Sequence, residues 1–289
     1  MFTGGQKLYR LTSSNEQEGT LPSASCKCGP RVYAGVTVLI ALLVSIAILV
    51  AYVEHRPWTP EQSPSLFCFV LMLSDTYEVL LLKEQSEQGA GVFGCEDYSV
   101  FSDTDRRLGS TAVRPEVVPG PLHVAKDPRY NFALNARVFL RVWERVLARA
   151  AFARHDWTVK VDPDTVFLAG RLREHLRRGP SPRGRVFLVN CRFGLRGPLE
   201  VLSRPAVGAL EGGLRRCRAE RAEGLDTEGE DVYLAACLGL LGVRGVEDLG
   251  LLSDENCMEQ PFPCTSGKAA FHPLKRVDKY LHCLAQAEE

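Results

Sequence analysis

From Val32 to Val53 the chain runs for 22 residues without Asp, Glu, Lys or Arg, and most of them are aliphatic. About 20 apolar residues are enough to cross a bilayer as a helix, so the stretch predicts a transmembrane span rather than a buried core helix. Tyr33 and Tyr52 fall near its ends, at the headgroup level that amphipathic rings favour. Lys7, Arg10, Lys27 and Arg31 outnumber Glu16 and Glu18 before the span, whereas Glu54 and Arg56 cancel just after it. The more positive flank tends to stay cytoplasmic. The pattern therefore predicts one signal anchor at 32–53, with residues 1–31 as a cytoplasmic tail and residues 54–289 in a lumen. A cleaved signal peptide has a shorter apolar core that lies closer to the start.

Beyond the span the periodicity changes. Residues 54–65 are polar and contain proline, and read as a short stem. Residues 66–289 are enough for one well-cored domain. Leu66–Leu73 is a continuous apolar run, as expected of a strand buried on both faces. A helix is expected over Thr76–Gln88, broken at Gly89–Gly91, and a second strand over Val92–Phe101. Residues 104–130 are rich in loop formers. Phe132–Ala153 has an apolar stripe at Leu134, Val138, Val142 and Val146 that predicts an amphipathic helix. Trp157–Phe167 reads as a strand interrupted at Pro163, Val186–Asn190 as a short strand, and Glu200–Arg218 and Asp231–Leu241 as helices. Alternating strands and helices predict an α/β domain with a mainly parallel central sheet flanked by helices. Such sheets place their sites at the carboxyl ends of the strands.

Composition narrows this picture. The 289 residues are 45% apolar and 24% charged, which excludes a disordered or low-complexity chain. Thirty-five basic residues balance 35 acidic ones, and no nucleic-acid partner is expected of a chain without excess cations. Of ten cysteines, Cys26 and Cys28 lie beside the span, within reach of palmitoylation. The other eight, an even number in the expected lumen, suggest disulfides rather than zinc, since no pair has the two-residue spacing of a zinc site. Counting alone allows 105 pairings.

Three acidic or imidazole segments are candidates for chemistry. Asp162-Pro163-Asp164 ends a strand, and one or two carboxylates there are what a hard divalent cation with nucleotide phosphates requires. Read as an extended segment, it projects both side chains to the same side. Glu230-Asp231 opens a helix; acids there commonly compensate the helix dipole, and a general base is the functional alternative. His272 follows small and apolar residues late in the chain, where a neutral ring nitrogen could ligate a metal. Taken singly, each is explained by turn chemistry, capping or an ordinary histidine.

Taken in order, they resemble the inverting β1,3-glycosyltransferases of the Golgi, the group of Fringe and the core 1 β1,3-galactosyltransferases (glycosyltransferase family 31). The matching segments are DWTVKVDPDTVFLAGRLREHL from Asp156 to Leu176, GPLEVLSRPAV from Gly197 to Val207, EDVYLAACLGLLGV from Glu230 to Val243, and the stretch from Cys264 to His272. The middle acid of the family's metal motif is Pro163 here. The resemblance implies a GT-A fold behind a single N-terminal transmembrane helix, a UDP-sugar donor, and manganese or another divalent cation. It implies Asp164 and His272 as metal ligands, with Asp162 at the metal or the donor ribose and Asp103 on the uridine side. It implies Asp231, or else Glu230, as the base. It also implies disulfides Cys68–Cys95 and Cys217–Cys237. Cys257–Cys264 is expected as a local bridge, and Cys191–Cys283 as what remains.

The expected activity is transfer of a hexose or N-acetylhexosamine from a UDP-sugar to a glycan or glycoprotein hydroxyl. Inversion, with a β1,3 linkage, follows from the same resemblance. The expected place is the Golgi or endoplasmic reticulum membrane. The alternative is a non-catalytic relative of the same fold, a chaperone or binding module of the secretory pathway, which Pro163 favours and the retained acids and His272 oppose. Nothing in the sequence specifies an oligomer.

Overall fold

The computed structural model describes residues 38–47, 63–257 and 260–289. Contacts divide the chain into two units, Met1–Pro57 and Trp58–Glu289. In the first, residues 38–47 form a helix (α1) with exposed side chains. Among the described residues no helix is long and apolar enough to cross a membrane. The rest of the expected 32–53 span, the 1–31 tail and most of the 54–65 stem lie outside the described residues.

The second unit is mixed α/β, built on a seven-stranded sheet ordered β3-β2-β1-β4-β7-β6-β8. Its strands are β1 (Leu66–Met72), β2 (Asp97–Ser102), β3 (Glu116–Val117), β4 (Trp157–Val161), β6 (Val186–Val189), β7 (Leu199–Ser203) and β8 (Arg244–Glu247). Only β7 runs against its neighbours, pairing antiparallel with both β4 and β6. The apolar run of β1 is buried on both sides, as its lack of alternation predicts. Leu66, Cys68, Val70 and Met72 enter one core, and Phe67 and Phe69 enter the other. The helices are α2 (Glu78–Gln88), α3 (Ala136–Arg149), α4 (Ala169–Arg178), α5 (Arg204–Glu220), α6 (Glu230–Leu240) and α7 (Val277–Glu288). A smaller sheet, ordered β5-β10-β9, joins Val166–Phe167, Ala270–His272 and Leu252–Asp254.

Several expectations need correction. Glu200–Arg218 is not one helix: Leu199–Ser203 is strand β7, and the helix starts at Arg204. Ser203 is the pivot, because its hydroxyl accepts from the Ala206 amide as an N-cap, and Pro205 follows in the first helical turn. The second strand begins at Asp97 rather than Val92, because Gly91 sits at φ +61° and Gly91–Gly94 forms a 3-10 turn. The amphipathic helix starts at Ala136 rather than Phe132, and Ala150, at φ +52°, ends it. The first helix starts at Glu78 rather than Thr76. Strands β8, β9 and β10 and helices α4 and α7 complete the domain.

Four disulfides close the unit. Cys68–Cys95 and Cys217–Cys237 are present as the resemblance implied. The other two expectations are overturned: Cys191 pairs with Cys257, and Cys264 with Cys283. Nearness in sequence does not aim one Cβ at another. Cys264 instead lies with its Cα 5.3 Å from that of Cys283 on α7, and Cys257 lies 5.4 Å from Cys191, beyond the end of β6.

Candidate metal centre and acid pair

Strands β1, β2, β4 and β6 run in one direction, so their carboxyl ends meet on one edge of the sheet, the edge where α/β sheets place their sites. Immediately after β4 the chain reverses in a turn closed by the Thr165 amide donating to the Asp162 carbonyl, 3.1 Å. Pro163 occupies the second turn position, where its fixed φ is an advantage. The Asp-x-Asp segment is therefore a turn and not the extended stretch read from sequence. Gln85 fixes it from α2, donating to the Pro163 carbonyl at 2.8 Å.

The turn leads directly into β5, which pairs with β10, and β10 pairs with β9. This register delivers His272 to the turn. Phe271 lies opposite Val166, and His272 lies opposite Asp254. His272 Nδ1 meets Asp254 Oδ2 at 2.5 Å, while Nε2 faces Asp164 Oδ1 at 3.4 Å. One ligand atom each from Asp162, Asp164 and His272 lies within 4.8 Å of the others. Tyr77, at the start of α2, donates its hydroxyl to Asp164 Oδ2 at 3.1 Å.

This donor set fits a divalent cation. Two carboxylates and an imidazole converge, and a buried carboxylate holds the far nitrogen of the imidazole, the usual arrangement behind a metal-bound histidine. Burial disfavours a charged ring at His272, but the carboxylates of Asp164 and Asp254 win and push its pKa up to about 9. At that value the ring is an imidazolium at neutral pH, between two carboxylates. Burial raises the Asp164 carboxyl, but hydrogen bonds from His272 and Tyr77 outweigh it and hold the group below its usual range. Asp254 is held low in the same way.

The acid pair joins this centre through a residue the sequence reading passed over. Lys160, on β4, is fully buried and packs 4.4 Å from the centroid of the Phe139 ring. Its ammonium donates to Asp162 Oδ1 at 2.5 Å, to Glu230 Oε1 at 2.9 Å and to the Gly197 carbonyl at 2.8 Å. Burial alone would lower its pKa, but Asp162, Glu230 and Glu200 hold it well above the ordinary lysine value. Glu200, opposite Lys160 in the register of β4 and β7, is fully buried, and among the described residues neither carboxyl oxygen has a hydrogen-bond partner. Burial pushes its pKa far up, against the pull of Lys160.

Glu230 and Asp231 open α6 as expected. The Glu230 amide donates to Asn135 Oδ1 at 2.9 Å. Asp231 accepts from the amides of Gly197 at 3.2 Å and Val232 at 2.7 Å. Burial, reinforced by the charge of Glu230, raises the Asp231 carboxyl. The two acids therefore differ: Glu230 is committed to Lys160, whereas Asp231 is a partly buried carboxylate of increased basicity.

Asp103 follows β2 on the same edge. It accepts from the Ser74 amide at 2.9 Å, from the Ser74 hydroxyl at 2.6 Å and from the Ser102 hydroxyl at 2.9 Å, so it ties the ends of β1 and β2 together. Glu78 was also passed over. Burial and the nearby Asp162 and Asp164 raise its pKa to about 7, while the Leu73 amide donates to it at 2.7 Å. A polar residue inside an otherwise apolar strand was the available signal for Lys160 and for Glu200.

No family profile matches the chain, and no curated protein matches it. Among solved structures, a glycosyltransferase involved in the glycosylation of the major capsid of PBCV-1 aligns at a TM-score of 0.46, with 12% identity over 76% of this chain and 100% of that one. A mannosyltransferase from Pyrobaculum calidifontis, in complex with GDP-Man and Mn2+, aligns at a TM-score of 0.35, with 16% identity over 73% of this chain and 65% of that one. These likenesses are too low to bear on activity, which rests on the geometry of the site.

Proposed function

We propose that the chain is a metal-dependent, inverting glycosyltransferase of GT-A type. It transfers a hexose or N-acetylhexosamine from a UDP-sugar to a glycan or glycoprotein hydroxyl, in β1,3 linkage. The observation that carries this reading is the convergence of Asp162, Asp164 and His272, joined by Lys160 to the Glu230–Asp231 pair. Asp164, His272 and Asp162 would hold manganese or a similar ion, whose charge neutralises the diphosphate leaving group. Asp103, on the same edge, is assigned to the uridine side.

Asp231 takes the proton of the acceptor hydroxyl as that oxygen attacks the anomeric carbon from the face opposite UDP. Its raised pKa improves it as a base, and such assistance is typically worth about 10²–10⁴-fold. The Gly197 and Val232 amides aim the carboxylate, and Lys160 keeps Glu230 from competing for the proton. One displacement inverts the anomeric centre.

The membrane anchor at 32–53 and the Golgi or endoplasmic reticulum lumen belong to the same proposal. They are supported by the charge-free stretch and by four disulfides, which persist in oxidising compartments.

The test is nucleotide release by the detergent-solubilised full chain, with Mn2+ and a panel of UDP- and GDP-sugars. Release from one UDP-sugar is expected, falling at least about 10²-fold in Asp164→Asn, since losing a metal-held charge costs several kcal/mol at about 1.4 kcal/mol per decade. No release from any donor by folded protein would instead favour the non-catalytic chaperone or binding module.

A further inference from the structure

The edge of the large sheet opposite the acid edge is basic, and hydrogen bonds join it into one surface. Ser65, just ahead of β1, donates its amide and its hydroxyl to Asp156 Oδ2 at 3.0 and 2.9 Å. The Asp156 carbonyl accepts from the Arg204 amide at 2.9 Å. Strand β7 runs against its neighbours, so it ends on this edge, where Ser203 Oγ donates to the Gly184 carbonyl at 2.6 Å. The Arg244 amide, at the start of β8, donates to the Arg185 carbonyl at 3.0 Å, just ahead of β6. Arg178 ends α4, and Arg183 lies in the connection from α4 to β6.

Arg178, Arg183, Arg185, Arg204 and Arg244 are all exposed. Among the described residues, none of the last four has a carboxylate in ion-pair range, and Arg178 has only Glu174, at 3.9 Å. The carboxylates of this edge are already committed. Asp97 pairs with Arg154 at 2.7 Å, Glu96 pairs with Arg173 at 2.8 Å, and Asp156 holds Ser65. A net charge of zero thus conceals an uncompensated basic face. In residues 178–186, 203–204 and 241–246 no large apolar side chain is exposed, which disfavours a stable protein interface, whose centre is apolar.

The chain also enters the unit at this edge, through Ser65. From Val53, where the proposed span ends, to Ser65 is 12 residues, a length that reaches at most about 40 Å fully extended.

We infer that this basic edge is a docking surface for a lipid bilayer, with its arginines on the anionic headgroups and the acid edge left open to substrates. A guanidinium meets phosphate oxygens with two parallel N–H donors, and each basic residue within a Debye length of an anionic surface adds to the attraction. The inference rests on the proposed anchor for its tether, but lipid binding tests the face without it.

The experiment places the full chain in nanodiscs of phosphatidylcholine alone, or of phosphatidylcholine with phosphatidylglycerol. Phenylglyoxal, which modifies accessible guanidinium groups, is followed arginine by arginine with peptide mass spectrometry. With the anionic lipid at about 0.1 M salt, modification of Arg183, Arg185 and Arg244 should slow at least about fivefold, and about 1 M salt should abolish the difference. Arg129 and Arg276, outside this edge, should react equally in both lipids. In the triple variant Arg183→Gln/Arg185→Gln/Arg244→Gln, whose side chains have no hydrogen-bond partner to lose among the described residues, Arg178 and Arg204 should lose their protection as well. Equal modification in the two lipids, or slowing shared by Arg129 and Arg276, would overturn the inference. Protection by a free sulfated polysaccharide, without any by the anionic bilayer, would overturn it in favour of a soluble polyanion. The anchor is read separately, from whether the chain stays with the nanodiscs at high salt. If it does not, the anchor reading fails, and the same labelling of the free chain with added anionic or neutral vesicles decides whether the edge binds lipid by itself.

Discussion

At the scale of single residues, the site turns on buried charge. Lys160, itself fully buried, neutralises the partly buried Asp162 and Glu230, so removing only the ammonium leaves those carboxylates without their cation. Breaking such a buried pair from one side typically costs about 3–5 kcal/mol. Lys160→Met should lose stability in that range by urea unfolding of the disulfide-intact protein. Because Glu200 faces Lys160 across the β4–β7 register, Lys160→Met/Glu200→Met should cost clearly less than the two single losses added; strict additivity would show that the two do not interact. His272 supplies the pH dependence. Its folded pKa of about 9 exceeds the unfolded value of about 6.5, so its contribution to apo stability is fully present below about 6.5 and is lost as pH rises through about 9. A metal takes the neutral ring, so Mn2+ uptake at pH 7 should release close to one proton, and affinity should climb with pH towards 9. Calorimetry in buffers of differing ionisation enthalpy reads that proton directly. Asp162, Asp164 and His272, which the structure brings together, were singled out in the sequence only as an ordered set of segments that resembles one family, since each alone reads as turn chemistry or an ordinary histidine. Lys160 and Glu200 were passed over although each interrupts an apolar strand, and Glu78 and Asp254 owe their places to register and burial, which no local pattern encodes.

At the scale of elements, the long strands and helices were legible and the short ones were not. The apolar stripe of α3 carries a helical period, and the apolar run of β1, which has no period, is short and bounded by Pro64 and Ser74-Asp75 as a buried strand is. β7 was hidden because LEVLS runs straight into a helix, although Ser203 followed by Pro205 is a helix-start signature lying in plain view. β9 and β10, three residues each, carry no readable period, yet their pairing brings Asp254, His272 and Asp164 together. The same scale governs α6. Cys217–Cys237 ties it to α5, closing a loop of 20 residues, and such a bridge contributes about 3 kcal/mol in the chain-entropy view. Replacing both cysteines by serine should lower stability by about that amount. If the tether also fixes Asp231 over the metal centre, kcat should fall while the KM for the donor stays near its wild-type value. A pure loss of stability, with kcat intact below the melting temperature, would show that α6 is positioned by packing with α3 and α5 alone.

At the scale of the whole molecule, the acid edge and the anchor make one joint demand on topology. In the proposed topology the domain with its four disulfides lies on the oxidising side of the membrane, and the flank with Lys7, Arg10, Lys27 and Arg31 on the other. The charge margin across the span is small, so the orientation rests on both arguments together. The chain offers an unusually clean test, because it contains no Asn-x-Ser/Thr sequence anywhere and starts with no background of N-glycosylation. An Asn-Gly-Thr acceptor appended after Glu289, beyond α7, would face the lumen in the proposed orientation. A second version carries the same acceptor ahead of Lys7, on the cytoplasmic side. Expressed with microsomes, the first should gain a glycosidase-sensitive mass increment and the second should not. The reverse result would place the acid edge in the cytosol, where thiols are kept reduced. The Asp162–Asp164–His272 centre would then have to work without the disulfides Cys191–Cys257 and Cys264–Cys283 that brace the chain on either side of β9 and β10.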